Sequence, residues 1–217
     1  VGEMAWKMHD QPDAGLWEFR TRQEVHTYSV LMSWAACGRI ATVAERLGMT
    51  EKCEFWRDRA AQIRARIENE AWHEEGQHYA SALGGSHLDA SLLQMIDLGF
   101  LKPEDERFQK TFAAIEKGLR RGEHMLRYDA EDDFGLPETA FNICTFWLME
   151  ALHLAGREDE ARALFETMLS HRTKSGLLSE DLDFNNGELW GNFPQTYSLV
   201  GIINCATLLS RPWSVIR

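Results

Sequence analysis

Two short stretches of this 217-residue chain look like copies of one another, and each ends in a glutamate. One is Gly15-Leu16-Trp17-Glu18 and the other is Gly176-Leu177-Leu178-Ser179-Glu180. Two carboxyls can divide acid and base duties. A protonated one gives its proton to a leaving oxygen while an ionised one draws a proton from water. Held about 6.5–9.5 Å apart on either side of an acetal, such a pair cuts a glycosidic bond with inversion. Trp17, directly before Glu18, is an apolar neighbour of the kind a general acid needs. Ser179 and Gln195 are candidates to hydrogen-bond the second carboxylate. Taken singly, each glutamate reads as a solvated loop side chain. Their matching places in an internal repeat set them apart.

The repeat is visible as an alternation of two helix textures. Residues near 51–72, 104–121 and 157–172 are amphipathic, as in Glu158-Asp159-Glu160-Ala161-Arg162-Ala163-Leu164-Phe165. Residues near 26–46, 87–98, 139–155 and 194–210 are far more apolar, as in Phe146-Trp147-Leu148-Met149-Glu150-Ala151-Leu152. Helices apolar nearly all round are buried, and amphipathic ones form an outer layer. Outer and inner helices therefore alternate with a period of roughly 50 to 60 residues, the signature of a helical repeat. The expected fold is all-α, a toroid of helical hairpins. Trp34, Phe146 and Trp147 on inner helices favour a closed ring over an open solenoid. About four hairpins are visible where about six would close such a ring. The remainder is expected to be missing from this chain or supplied by another.

Connections from inner to outer helices are short and helix-ending: Gly48-Met49-Thr50, Gly99 to Pro103, and Gly156. Those from outer to inner helices are long, near 11–24, 73–86, 122–138 and 173–193, and long loops in a compact domain are usually functional. Loop one carries Glu18 and loop four carries Glu180, three repeats apart. Loop three holds Arg127, whose forked donors suit sugar hydroxyls or a carboxylate. It also holds the acidic run Glu131-Asp132-Asp133, read as a solvated turn. Trp17, Trp147 and Trp190 offer flat apolar faces suited to sugar rings, although a tryptophan within a helix more often serves the core.

Hydrophobic residues make up 44% and charged residues 26% of the chain, the balance of a globular protein. The formal net charge of −11 opposes phosphate backbones and anionic membranes as partners but not a neutral sugar. No run approaches the roughly 18 apolar residues of a membrane span. Cys37, Cys53, Cys144 and Cys205 form no CxxC pair and are expected to be free buried thiols, which fits a reducing, cytoplasmic setting. His73 and His78 are five residues apart, so the HExxH metal motif is absent and neither metal nor cofactor is expected. The chain opens at Val1, as expected of one portion of a longer protein.

Several segments, taken in order, resemble the catalytic domain of glycoside hydrolase family 15, the glucoamylase-like enzymes. They are Gly15-Leu16-Trp17-Glu18, His26-Thr27-Tyr28-Ser29 leading to Trp34, Asp89-Ala90-Ser91-Leu92-Leu93, Arg127-Tyr128, and Phe141-Asn142-Ile143-Cys144-Thr145-Phe146-Trp147-Leu148. Gly176-Leu177-Leu178-Ser179-Glu180 and Gly191-Asn192-Phe193-Pro194-Gln195 follow. The resemblance spans residues 1–217 as a single domain, the C-terminal portion of a catalytic domain. It implies a partial (α/α)6 barrel lacking the β-sandwich and first barrel helices of the family. It also implies an inverting, exo-acting hydrolase of α-linked glucose oligosaccharides or disaccharides. By motif position Glu18 resembles the general acid and Glu180 the general base. Trp17, Arg127, Tyr128, Glu138 and Trp147 fall at substrate-binding positions. The chain departs from the family at Arg20-Thr21, at Pro137-Glu138-Thr139 and at Asp181 after the base, departures that bear on substrate more than on chemistry. Helices left uncovered by absent hairpins would favour self-association. The rival expectation is a non-catalytic helical-repeat binding module, which the four long loops argue against.

Overall fold

The structure, a computed structural model, describes residues 1–132 and 135–210. Asp133 of the acidic run lies outside the described residues. Contacts group the chain into two compact units, residues 1–87 and residues 88 onward.

Unit one contains α1 (Gly2–Met8), α2 (Thr27–Arg46), α3 (Thr50–Glu70) and a hairpin of β1 (Trp72–His73) with β2 (His78–Tyr79). The α2–α3 hairpin turns at Gly48, whose φ of +68° only glycine adopts without strain. Its core is built from Val30, Leu31, Cys37, Ile63, Ile67 and Tyr79, all nearly inaccessible. The outer face of α3 is laced by Arg64–Glu68 and Arg66–Glu70 pairs one turn apart.

Unit two begins with a 3-10 turn at Ala90–Leu93 running into α4 (Gln94–Asp97), then α5 (Glu106–Leu119). A hairpin of β3 (Arg120–Arg121) and β4 (His124–Met125) follows. Next come β5 (Ala140–Phe141), α6 (Asn142–Leu154), α7 (Glu158–Ser170), β6 (Asp181–Leu182), β7 (Leu189–Trp190) and α8 (Thr196–Ser210). Helix α6 lies at the centre of this unit, against α4, α7 and α8. Phe146, Leu148 and Leu152 are fully buried there. Helix α8 comes close through Gly201, where an added Cβ would stand 2.4 Å from the Phe146 ring. Helix α5 is capped by Asp105, whose carboxylate accepts from the amides of Arg107 and Phe108, so Pro103 precedes the helix rather than opening it. The outer helices are tied by a closed ring of charges. Arg120 pairs with Glu116 and Glu160 at 2.9 and 2.7 Å, and Arg157 pairs with the same two carboxylates at 2.6 Å each.

The all-α reading holds for the framework, with helices falling close to the expected segments other than 87–98. Two features differ. Residues 87–98 form one 3-10 turn and one α turn rather than a full inner helix, because the amide of Ala90 bonds instead to Arg127 O. The long loops also carry seven two-residue strands among the described residues, too short to leave a periodic trace. The inner-helix texture predicts burial well for α6 and less well elsewhere. Tyr197, Val200 and Ile203 stand exposed along one side of α8, and Met32 and Val43 stand exposed on α2. All four cysteines are free and buried. Among the described residues, no helix is long and apolar enough to cross a membrane.

Candidate active site

The first glutamate stands in a turn built to display it. Asp13 and Glu24 pair their backbones, closing residues 14–23 into a loop, and the Asp13 carboxylate accepts from the Gly15 amide at 2.7 Å. Gly15 has φ +70°, and a Cβ added there would lie 2.8 Å from the His26 ring. His26 is buried, stacks on Phe19 with centroids 5.7 Å apart, and its Nε2 finds no hydrogen-bond partner among the described residues. The Arg22 guanidinium covers Phe19 at 3.8 Å. On this platform Glu18 itself takes φ +56°, a left-handed conformation uncommon for a residue with a side chain, and its side chain is exposed. Such strain persists only where the surroundings over-determine it and is commonest at functional positions. Trp17 beside it is half-buried.

The second glutamate is held differently. Its segment is anchored from three sides. The Asn142 amide donates to Glu180 O at 2.9 Å, and the Asn142 side chain and the Ser198 hydroxyl both donate to Ser179 O, at 2.9 and 2.6 Å. Strand β6, immediately after Glu180, lies between β5 and β7, and its Asp181 is in register with Phe141 and Trp190. The Glu180 carboxylate then receives three N–H donors. The Asn192 amide at 3.2 Å and Asn192 Nδ2 at 3.0 Å reach Oε2, and Gln195 Nε2 at 3.0 Å reaches Oε1. Gly191 (φ +76°) leaves the room for this, since a Cβ there would fall 2.9 Å from Oε2. A carboxylate gripped at both oxygens has its orientation fixed, which a general base needs.

Arg127 and Tyr128 are placed by backbone pairing with Asp89 and Ala90, while Asp89 caps the 3-10 turn through the Ser91 amide. The Arg127 guanidinium lies over the Tyr128 and Phe141 rings and 3.9 Å from the Asp132 carboxylate. Tyr128 donates its hydroxyl to the same carboxylate at 2.5 Å. Burial pushes the Asp181 carboxyl up to about 6, against the pull of Arg127 and with a further push from Glu180. Arg127, Glu180 and Asp181 are therefore electrostatic neighbours within unit two. Glu138 is exposed just ahead of β5, and Trp147 is half-buried on α6.

Of the two partners expected for the second carboxylate, Gln195 takes that role. Ser179 does not, because its hydroxyl turns to the Asp181 carbonyl. Motif and spacing alone give no role to the side chains of Asn192, Asn142 and Asp181. The signal available for Asn192 was its place beside Gly191, a glycine that only a close approach requires. The two motif copies do share a backbone device, since Gly176 like Gly15 is left-handed, with φ +81°.

A helical framework with one glutamate on a strained turn and another in an amide clamp defines a class. Residues 4–207 match the family described as Glycosyl hydrolases family 15, and the chain belongs to that family. Among its relatives is a trehalase of Thermoplasma acidophilum, 37% identical over 209 residues, covering 95% of this chain and 35% of that protein. A trehalase of Mycobacterium tuberculosis is 34% identical over 212 residues, covering 96% of this chain and 31% of the relative. The chain thus spans about a third of the length of the curated relatives it matches. Among solved structures, a glycosidase in complex with glucose aligns with TM-score 0.81 at 21% identity, over 94% of this chain and 57% of that one. A bacterial glucoamylase complexed with acarbose aligns with TM-score 0.80 at 15% identity, over 96% and 37%. The fold is that of the glucoamylase-like (α/α)6 barrels, of which this chain forms a part.

Proposed function

We propose that this chain supplies the two catalytic carboxyls of an inverting, exo-acting α-glucoside hydrolase, with Glu18 as general acid and Glu180 as general base. The observation that carries the reading is the amide clamp on Glu180. A carboxylate held by three donors and used only as an acceptor is equipped to orient a water and take its proton. Glu18, presented by strained backbone at an exposed turn, is equipped to reach a leaving oxygen. Arg127, Tyr128, Trp17, Trp147 and Glu138 serve the sugar, the arginine by forked hydrogen bonds and the aromatic side chains by their faces. The trehalases among the relatives make an α,α-linked glucose disaccharide the favoured substrate. The bare side of α8, at Tyr197, Val200 and Ile203, is where the rest of a barrel would pack, and the chain alone self-associates through it.

The test combines this chain with the preceding portion of the Thermoplasma acidophilum trehalase and follows trehalose cleavage by proton NMR. Inversion at the attacked carbon, with the leaving glucose untouched, yields one β- and one α-glucose in the first turnovers. Early release of α-glucose alone would exclude the mechanism. Glu18→Gln and Glu180→Gln should each reduce turnover by orders of magnitude with little change in stability. Near-normal rates in both would remove the role assignment.

A further inference from the structure

Strand β6 opens on Asp181, the residue directly after the clamped glutamate, and the roles proposed so far make no use of its side chain. Asp181 is in register with Phe141 on one side and Trp190 on the other, and cross-strand partners stand side by side on one face of a sheet. The Arg127 guanidinium lies over that same Phe141 ring, 5.4 Å from its centroid. The Asp181 carboxyl hydrogen-bonds the Thr139 side chain, yet its Oδ1 is buried and finds no hydrogen-bond partner among the described residues. A buried acceptor left without a donor is destabilising, so packing alone does not account for a carboxyl here. Glu180 is its covalent neighbour, with Cα atoms about 3.8 Å apart. The two carboxyls therefore stay within each other's field whatever rotamers they take.

The three donors that clamp Glu180 are neutral amides, which fix the direction of its carboxylate without adding charge. We propose, resting on the hydrolase reading above, that Asp181 is a positioning residue acting through Glu180: once ionised, it strengthens Glu180 as a base and offsets the Arg127 charge. The interaction is mutual. The Glu180 charge resists ionisation of Asp181, and an ionised Asp181 in turn makes Glu180 hold a proton more firmly. A base that takes a proton from water gains rate from that. The reacting sugar becomes cationic in the transition state, so a second anion beside the base favours it while Arg127 opposes it. Burial keeps the Asp181 carboxyl neutral up to about pH 6, so the contribution is absent in acid and present above that point. From α6 the Cys144 thiol also acts on Asp181, but burial keeps it protonated. Strands β5 and β7 carry no titratable side chain. Asp132 stands 3.9 Å from Arg127, and Asp89 acts on the same thiol.

Two measurements on Asp181→Asn, which keeps the shape and removes the charge, test this. The first needs no hydrolysis. In the 217-residue chain, carbon-13 NMR of labelled glutamate carboxyls, with the Glu180 signal assigned by its loss in Glu180→Gln, should show Glu180 moving a second time near pH 6 as Asp181 ionises. Asp181→Asn should abolish that step; identical Glu180 curves in parent and variant overturn the proposal. The second follows trehalose turnover in the barrel completed with the relative's preceding portion. Asp181→Asn should reduce kcat by a factor at least about threefold larger at pH 7.5 than at pH 5, with KM changed much less. The ratio of variant to parent cancels every titration the two share, and a merely structural role would leave it independent of pH. A constant ratio in an active barrel overturns this proposal alone. An unsubstituted barrel that cuts no trehalose counts against the hydrolase reading, and this proposal falls with it.

Discussion

Glu150 is half-buried on α6, beside Asp97 and within reach of the Gln94 side chain, and no catalytic role is proposed for it. Burial, and then the Asp97 charge, push its carboxyl from 4.5 up to about 7, while the hydrogen bond from Gln94 opposes the rise. The sign of the effect on stability follows from proton counting. Between pH 4.5 and about 7 the unfolded chain has released this proton and the folded chain has kept it, so stability falls as pH rises. Below that window both states are protonated and nothing is lost. Above it the full difference is present, and at 1.36 kcal/mol per unit it amounts to about 3 kcal/mol. Glu150→Gln keeps the shape and the bond to Gln94 but cannot ionise. It should therefore leave stability nearly unchanged at pH 4 and raise it by up to about 3 kcal/mol at pH 8. Urea denaturation of both chains across this range measures the difference. Asp181, pushed up to about 6 by its own burial, gives the wild type a slope of the same sign, so only the variant-minus-parent difference isolates Glu150. An equal effect at pH 4 and pH 8, or a loss of stability at pH 8, would refute the reasoning.

Two further outcomes are expected. Removing the side-chain donors to Glu180 by Asn192→Ala or Gln195→Ala should each lower kcat/KM about tenfold in the barrel completed with the relative's preceding portion, the equivalent of about 1.4 kcal/mol for one bond to a charged group; a double variant within about twofold of the parent would show the clamp to be idle. Gly15→Ala should cost more stability than Gly48→Ala, because both glycines are left-handed but only at Gly15 would the new Cβ strike a side chain, the buried His26 ring, whereas Gly48 has open space; equal costs in denaturation would mean the ring yields freely.

Much of the framework was legible because it rests on strong periodic signals. Helices α3, α5 and α7 carry an apolar face and paired charges, α6 is apolar on most of its surface, and Gly48, Gly99 and Gly156 mark helix ends with φ values that favour glycine. Residues 87–98 depart from the expected helix because their apolar run suits a buried turn equally well, and the deciding partner, Arg127 O, lies far along the chain. The strands escaped for a similar reason. Two-residue pairings such as Phe141 with Asp181 leave no alternation to detect. The same distance effect limits the site. Gln195 was within reach of motif reading, but the anchoring of Ser179 by Asn142 and Ser198 depends on where α6 and α8 begin. The cross-strand meeting of Asp181 with Phe141 and Trp190 likewise depends on a register that spacing alone does not reveal.

The repeat that first marked the two glutamates also shows what their segments do not share. Both motifs open on a left-handed glycine and both end in a carboxylate. Beyond that, one copy spends its interactions on the backbone, packing Gly15 against His26 so that Glu18 stands out on a strained φ, while the other spends them on the carboxylate itself. This division matches the demands of acid and base in the proposed reaction. A base that aligns water gains from a fixed orientation, since a small misplacement of the attacking oxygen costs rate steeply. An acid must meet a leaving oxygen that moves as the bond breaks, then recover its proton from solvent. For that role a side chain presented at an exposed turn on a rigid backbone is the better instrument, and a clamp like that on Glu180 would hold it too fixed to follow the departing oxygen.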